Sequence, residues 1–327
     1  MKQLKYFLML FFVSFGTFGN TNMNGTQIKL DPPDEFTTLA EFLEGRVDFI
    51  KGDLPIIKAD EVKKNLKNEA YRVIDIRSES WFEYGHIKNA ANVPAEELLN
   101  YFESEINPSD FEKIVIVCYS GQSASYYAGL LRIAGYDNVY SMKWGMSSWR
   151  EDFADSWIKN TKTSLEDKLE TAVNTKSGLG DHPQINTGKS EGKEILKDRL
   201  QKLFAVPYKE FIVQSEDVFE SPQDYFIVNY GKIDDYNLGH VPGAMLYDEG
   251  TSLLLDTDLL TLPKDKKVAL YTTTGQEAAY LIAYLNVLGY DAGNIAYGEN
   301  AFMNNLLKKN GRDAFSSKEI NMFPVIE

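Results

Sequence analysis

The chain has 327 residues, of which 43% are hydrophobic and 25% charged, and its formal net charge is −14. This composition is typical of a globular protein with room for two ordinary domains. The negative charge argues against nucleic acid and against anionic membrane surfaces as partners. Because the overall field repels anions, an anionic substrate would have to be held by local groups.

Residues 1–19 have the order of a secretory signal peptide. Two lysines precede an almost uncharged apolar run over residues 6–18, with small residues towards its end. The run is short for a membrane span, so we expect cleavage after Gly16 or Gly19 and export to the periplasm or the medium. No stable membrane span is then expected in the mature chain. An uncleaved anchor is the alternative.

Residues 20–54 are polar and contain two adjacent prolines. We interpret them as an N-terminal extension that packs on the first domain or is partly disordered, with one helical candidate over residues 38–44. The first domain is predicted over residues 55–155. It begins with a helix over 60–66, whose acidic first turn suits the helix dipole, and the apolar run at 73–76 predicts a strand.

The chain contains one cysteine, Cys118, so it forms no intramolecular disulfide. An unpaired cysteine in an exported protein indicates a reactive group or an intermolecular partner. The histidines, acidic residues and Cys118 nowhere have the spacing of metal ligands, and we predict neither a metal nor a cofactor.

Cys118 opens a loop that ends at Ala124. The loop follows the apolar run Ile114–Val117 and precedes an Ala/Leu-rich segment, which predicts the order strand, tight loop, helix. Cys118 would then lie at the carboxyl end of a buried parallel strand, with the N–H groups of the helix directed at its sulfur. Gly121 allows the turn that such a nest of N–H groups needs, and these surroundings favour the thiolate. A buried structural cysteine is the alternative.

Four ordered motifs around this loop are similar to those of the rhodanese (sulfurtransferase) family. They are Val73–Arg77, Glu83–Ile87 with Ala90–Pro94, the Cys118 loop, and Gly135-Tyr136 with Trp144–Trp149. The resemblance implies an α/β fold. It also implies that Cys118 takes sulfur from a small anionic donor such as thiosulfate, forms a persulfide, and passes the sulfur to a thiol or cyanide-type acceptor.

The resemblance also assigns roles around Cys118. The substrate-binding residues would be Tyr119, Ser120, Gly121, Gln122, Ser123, Ala124 and Arg77, with Asp75 and His86 in support. The loop carries no basic residue, unlike loops specialised for thiosulfate, so the donor stays open. For Arg77 we weigh two roles equally, bracing the loop through Asp75 and attracting the substrate. For His86 we expect a structural turn.

The sequence then repeats itself with a shift of 154 positions and no gap, so that position 118 of the first copy corresponds to position 272 of the second. A repeat this long indicates two copies of a domain. We therefore predict two tandem rhodanese-like domains, each a parallel sheet flanked by helices. The remaining boundaries are an exposed linker over 156–206 with a helix at 194–204, a second domain over 207–312, and a C-terminal tail over 313–327.

The two copies differ where the chemistry would occur. Thr272 replaces Cys118 and cannot form a persulfide, and Glu277 and Gly231 replace Ser123 and Arg77. We expect the second copy to be inactive but to pack against the first and close its crevice. Tandem members of the family usually carry the active loop in the second copy, so this chain departs from their order.

Two other functions were weighed against sulfur transfer. A phosphatase or arsenate reductase of the related cysteine-loop type would need an arginine six residues after the cysteine to hold the oxyanion, and Ala124 stands there. A binding or sensor protein that uses the tandem fold without turnover stays open, because a fold does not determine function.

Overall fold

The computed structural model describes residues 34–52 and 54–327, so the predicted signal peptide lies outside the described residues. The described part contains two five-stranded parallel sheets. The strands of the first are β1 (Ile56–Ile57), β2 (Tyr71–Asp75), β3 (Ala91–Asn92), β4 (Lys113–Val117) and β5 (Val139–Met142). Those of the second are β6 (Ile212–Val213), β7 (Phe226–Gly231), β8 (Met245–Asp248), β9 (Val268–Tyr271) and β10 (Ala292–Ile295).

The two sheets have the same topology, β1-β5-β4-β2-β3 and β6-β10-β9-β7-β8. The helices are α1 (Glu35–Glu44), α2 (Ala59–Lys64), α3 (Glu79–Tyr84), α4 (Leu98–Asn100), α5 (Gln122–Ile133), α6 (Asp155–Asn160), α7 (Gly192–Phe204), α8 (Ser215–Glu220), α9 (Ile233–Tyr236), α10 (Gln276–Val287) and α11 (Asn304–Lys309). The predicted fold class, two tandem α/β domains with parallel sheets, is confirmed. Within the described ranges, no helix has the length and apolar character needed to cross a bilayer.

The core lies between the sheets and the long helices α5 and α10. The central strands β4 and β9 are apolar and buried from Ile114 to Val117 and from Val268 to Tyr271, as expected for strands that are covered on both faces. α5 and α10 pack directly against each other. Gly129 of α5 permits this approach, since a Cβ there would come within 3.1 Å of the Tyr280 ring and 3.2 Å of Ala283 Cβ. The two copies therefore share one hydrophobic core.

The Cys118 loop and the matching Thr272 loop of the second copy are each followed by a helix whose first residue is a glutamine. The side chain of each glutamine forms a hydrogen bond with the backbone of the other copy. Gln122 Oε1 accepts a hydrogen bond of 2.7 Å from the backbone N–H of Tyr297. In the same way, Gln276 Oε1 accepts one of 2.7 Å from the N–H of Trp144. Trp144 and Tyr297 both have left-handed backbones, with φ of 63° and 61°. The loop of each copy is thus completed by the other copy.

The extension and the linker are more closely packed than the sequence suggests. The described part of the extension contacts both copies. Its Asp48 pairs with Arg132 of the first, while Glu44 accepts a hydrogen bond from Leu255 N of the second. In the linker, Glu170 forms an antiparallel bridge with His240. The extension thus packs on the first domain, which is one of the two expected alternatives, and it also contacts the second copy. The linker is exposed along most of residues 171–182, as expected, but it also has fixed contacts with the second copy.

The C-terminal tail returns from the second copy to the first. Trp149 Nε1 donates a 3.0 Å hydrogen bond to the carbonyl of Pro324, and Ile326 forms an antiparallel bridge with His86. Phe315 stacks on Trp157 with ring centres 5.2 Å apart. The tail is therefore part of the packing of the first copy.

We expect Gln122→Ala to lower the free energy of unfolding by about 1–3 kcal/mol, because the buried N–H of Tyr297 loses its acceptor. Denaturant titration followed by circular dichroism measures the change. Gln201→Ala, at an exposed position of α7, is the matched control and should change stability little. Equal stability of the two variants would contradict the role assigned to Gln122.

Candidate active site

The sulfur of Cys118 is held by the loop that joins β4 to α5. Gly121 adopts a left-handed backbone (φ 89°) at the start of the helix, and this turn directs N–H groups inward. Cys118 Sγ accepts hydrogen bonds from the N–H of Gly121 at 3.1 Å and of Ala124 at 3.4 Å. These are the N–H contacts that the glycine-containing loop predicts.

The protonation of Cys118 differs from the sequence-based expectation. The residue is 2% exposed, and burial raises the pKa of its thiol above the ordinary value. The Ser123 hydroxyl and the N–H groups of Ala124 and Gly121 lower the pKa, but burial outweighs them. The expectation that these surroundings favour the thiolate took account of the local donors alone, and burial shifts the pKa in the opposite direction.

Tyr119 and Ser120 form the outer side of the loop. Tyr119 is 37% exposed, and its hydroxyl lies 3.3 Å from Ser78 Oγ. The backbone is held by two further contacts: Ser147 Oγ donates to the Tyr119 carbonyl at 3.0 Å, and Trp157 Nε1 donates to the Ser120 carbonyl at 2.9 Å. The loop therefore leaves the Tyr119 side chain accessible while its backbone is fixed.

Arg77 braces the first sheet. Its Nη2 lies 2.7 Å from Asp75 Oδ2 and donates to the Gly85 carbonyl at 2.8 Å, with both charged side chains fully buried. Its guanidinium carbon lies 4.8 Å from the ring centre of Phe153. Nη1 makes no hydrogen bond within the described ranges. The assignment of Arg77 to the substrate-binding set is thus corrected to bracing, because its charge is already paired away from solvent.

His86 lies in the predicted turn and outside the Cys118 loop. Its Nδ1 is 2.9 Å from the carbonyl of Phe82, and its ring stacks on the Phe82 ring at 3.8 Å. This is the structural role that the sequence predicts.

Gln122 borders the loop but has its polar atoms engaged. Oε1 accepts from Tyr297 N and also from Asn294 Nδ2 at 3.2 Å, while Nε2 donates to Ser120 Oγ at 3.2 Å. The predicted substrate-binding role of Gln122 is therefore corrected to positioning, because the side chain is 4% exposed and its Oε1 already accepts two hydrogen bonds from the second copy.

A cavity of about 330 Å³ lies beside the loop and has walls from both copies. The first copy and its flanking helix contribute Tyr119, Ser120, Gln122, Ser123 and Ser156, and the second copy contributes Tyr208, Ile212, Ala296 and Tyr297. Ser123 connects the cavity to the sulfur, since its hydroxyl acts to lower the pKa of the Cys118 thiol. The expectation that the second copy closes the crevice is met by these four residues. Within the described ranges, no group of three His, Cys, Asp or Glu residues could hold a metal ion.

Comparison with known proteins shows to which family this chain belongs. The family model named Rhodanese-like domain matches residues 58–152. Thiosulfate sulfurtransferase GlpE of Shewanella oneidensis is 31% identical over 96 residues, which are 91% of that protein and 29% of this chain. This chain belongs to the rhodanese family. Rhodanese-like domain-containing protein 9 of Arabidopsis thaliana is 25% identical over 131 residues, 30% of this chain and 56% of that protein.

Solved structures were matched as well. A rhodanese-related protein from Thermoplasma volcanium is 27% identical with a TM-score of 0.26, covering 29% of this chain and 90% of that one. The 3-mercaptopyruvate sulfotransferase SseA of Escherichia coli is 17% identical with a TM-score of 0.26, covering 75% of this chain and 98% of its own. The family assignment comes from the sequence match in the first rhodanese copy.

The second rhodanese copy reproduces the loop with a hydroxyl in place of the thiol. Thr272 Oγ1 accepts hydrogen bonds from the N–H of Gly275 at 3.3 Å and of Ala278 at 3.4 Å. Glu277 Oε2 lies 2.8 Å from Thr272 Oγ1 and also accepts from the Thr274 hydroxyl. The carboxylate of Glu277 therefore folds back onto the position where the first copy has its sulfur.

Two residues at the site, Tyr208 and Tyr297, were not singled out from the sequence. Tyr297 has a signal in the sequence, since it precedes Gly298 as Trp144 precedes Gly145, but this pair is related by a shift of 153 positions and so needs a one-residue gap in the second copy. Tyr208 has no such signal, because it lies before the second sheet begins and reaches the cavity through the packing of the two copies.

We expect the alkylation rate of Cys118 by iodoacetamide to keep rising with pH beyond the range where an exposed thiol is already ionised. The raised pKa leaves less thiolate at neutral pH, so the inflection moves to higher pH. Ser123→Ala should move it further up, because a hydrogen bond to the thiolate is lost.

The unfolded protein in denaturant supplies the reference for the same thiol, and Ser109→Ala at an exposed position is the control variant. An inflection in the folded protein at or below the unfolded value would contradict the effect of burial.

Proposed function

We propose that this rhodanese is a sulfurtransferase in which Cys118 carries the transferred sulfur as a persulfide. The observation that supports this most is the geometry of the loop, where the N–H groups of Gly121 and Ala124 converge on Cys118 Sγ. The names of its relatives, which include thiosulfate sulfurtransferases, support the same chemistry. Tyr119, Ser120 and Ser123 border the cavity through which a donor would approach.

The reaction has two balanced steps. The Cys118 thiolate attacks the outer sulfur of thiosulfate, the sulfur–sulfur bond of the donor breaks, and its electron pair leaves with sulfite. A thiol or cyanide-type acceptor then attacks the outer sulfur of the persulfide and releases the Cys118 thiolate. The N–H groups of Gly121 and Ala124 would stabilise the negative charge on sulfur in both steps.

A non-catalytic binding or sensor protein is the second candidate. The 2% exposure of Cys118 favours it, because a sulfur that is almost completely buried is poorly accessible to a donor. Persulfide formation separates the two functions, since a protein without turnover would not accumulate it from thiosulfate.

Export is proposed from the sequence of residues 1–19. The charged, apolar and small-residue order supports a signal peptide, and a periplasmic or secreted location follows from it.

We expect Cys118→Ala to abolish sulfur transfer from thiosulfate to cyanide, and intact mass to show no added sulfur after incubation with the donor. Stability should stay within about 1–2 kcal/mol of the wild type, because the substitution removes one small side chain. Thr272→Ala, the same kind of change in the second loop, should keep full activity. Transfer by the Cys118→Ala protein would refute the proposal.

We expect Thr272→Cys, made in a Cys118→Ala background, to stay inactive. The Glu277 carboxylate lies 2.8 Å from the Thr272 hydroxyl. Two negative charges about 4 Å apart repel by roughly 4 kcal/mol at an effective dielectric of about 20. Even half of this raises the pKa of the new thiol by more than about one unit. Adding Glu277→Ser should then restore persulfide formation, measured by intact mass, and activity of the single variant would contradict the charge argument.

A further inference from the structure

The cavity beside Cys118 has no charged wall. Of the described residues that line it, none carries an ionised side chain at neutral pH. The large aromatic and aliphatic side chains among them are Tyr119, Tyr208, Tyr297 and Ile212, of which all but Tyr119 come from the second copy or the segment that leads into it. A ligand in this cavity would meet rings and methyl groups next to the sulfur.

The polar atoms of the wall are bonded to one another. The hydroxyls of Ser156 and Tyr297 are 2.8 Å apart, and the Tyr208 hydroxyl accepts from Asn294 Nδ2 at 2.7 Å. Burial raises the pKa of both Tyr208 and Tyr297, so both phenols stay protonated and neutral. These hydroxyls carry no charge, so an anionic group in the cavity would be stabilised chiefly by the N–H groups around Cys118 Sγ and would find no cation on the outer wall.

The neutral character is specific to this cavity. The cavity at the second loop, of about 350 Å³, is lined by ionisable side chains, among them Asp235, Glu249, Glu277, Lys51 and Arg312. The two copies share a fold and a loop geometry. Of these two cavities, the one beside the Cys118 loop is lined by uncharged side chains, and the one beside the Thr272 loop is not.

We propose that the cavity binds the organic part of an uncharged thiol, R–SH, in which R is an apolar aromatic or aliphatic group, and that this thiol is the sulfur acceptor. This inference rests on the proposed sulfurtransferase function. A bond forms between the thiol sulfur and the outer sulfur of the Cys118 persulfide, and the bond from that sulfur to Cys118 breaks. The electron pair stays on Cys118, which takes up the proton of R–SH, and R–S–SH leaves.

The second copy supplies part of the cavity wall and would therefore help to select the thiol that accepts the sulfur. Ile212 lies on β6, in register with Asn294 of β10, and its half-buried side chain lines the cavity opposite the loop. A positive charge at this position would face the acceptor without touching the N–H groups that hold the sulfur. Ile212 is therefore a specificity-determining residue that the inactive copy supplies.

The test uses two probes that differ by one carboxylate, phenylmethanethiol and 4-(sulfanylmethyl)benzoate. The full-length protein is first loaded with sulfur by excess thiosulfate, and intact mass confirms the persulfide. The rate at which each probe removes the added sulfur is then measured. We expect the uncharged probe to react about tenfold faster, as a site without a partner for the carboxylate discriminates against it.

Ile212→Lys should reduce this ratio to about twofold or less by giving the carboxylate a partner. Ile233→Lys, at an exposed position of α9, adds the same charge elsewhere and should leave the ratio unchanged. Ser156→Lys places the charge on the other wall and replaces Ile212→Lys if that variant does not fold.

The outcomes separate the two proposals. Equal rates for the two probes on the wild type, or a faster anionic probe, overturn the inference while the persulfide itself supports the sulfurtransferase. A ratio that neither cavity variant changes overturns the assignment of the wall. No persulfide from any donor overturns the proposed function, and the inference with it.

Discussion

The site depends on two hydrogen bonds in which a glutamine of each copy accepts from a backbone N–H of the other copy. Gln122 and Gln276 each satisfy a buried backbone N–H in the other copy, at Tyr297 and Trp144. A buried N–H without an acceptor is costly, so neither copy can move away from the other without losing this contact. Because both glutamines begin the helices that follow the loops, the contact also sets the position of the Cys118 loop. The Cys118 loop is therefore held in place by the contact between the two copies.

The repeat separates residues that maintain the fold from residues that carry chemistry. The loop glycines and glutamines are the same in both copies, since each copy needs the left-handed turn and the contact with its neighbour. The thiol of Cys118 and the neutral Ser123 are replaced by Thr272 and Glu277. A hydroxyl can occupy the N–H nest as well as a thiol does, so the second loop folds in the same way without a nucleophile.

The electrostatics of the site are local and nearly neutral. The chain carries a net charge of −14, the Asp75–Arg77 pair is buried and internally compensated, and the cavity beside Cys118 is lined by uncharged side chains. Burial holds Cys118 in its protonated form more strongly than an exposed thiol.

Local patterns in the sequence determined the strands, the Cys118 loop, the repeat and the loss of the thiol from the second copy. These features depend on neighbouring residues and on a fixed shift along the chain, so they can be read without a structure. The tertiary structure alone decided that Gln122 binds a backbone group 175 positions away and that the tail returns to the first copy. It also decided the burial of Cys118, which raises the pKa of its thiol, and the neutral wall of the cavity beside it. Burial and shared cavities arise from packing between distant segments, which local sequence patterns do not specify.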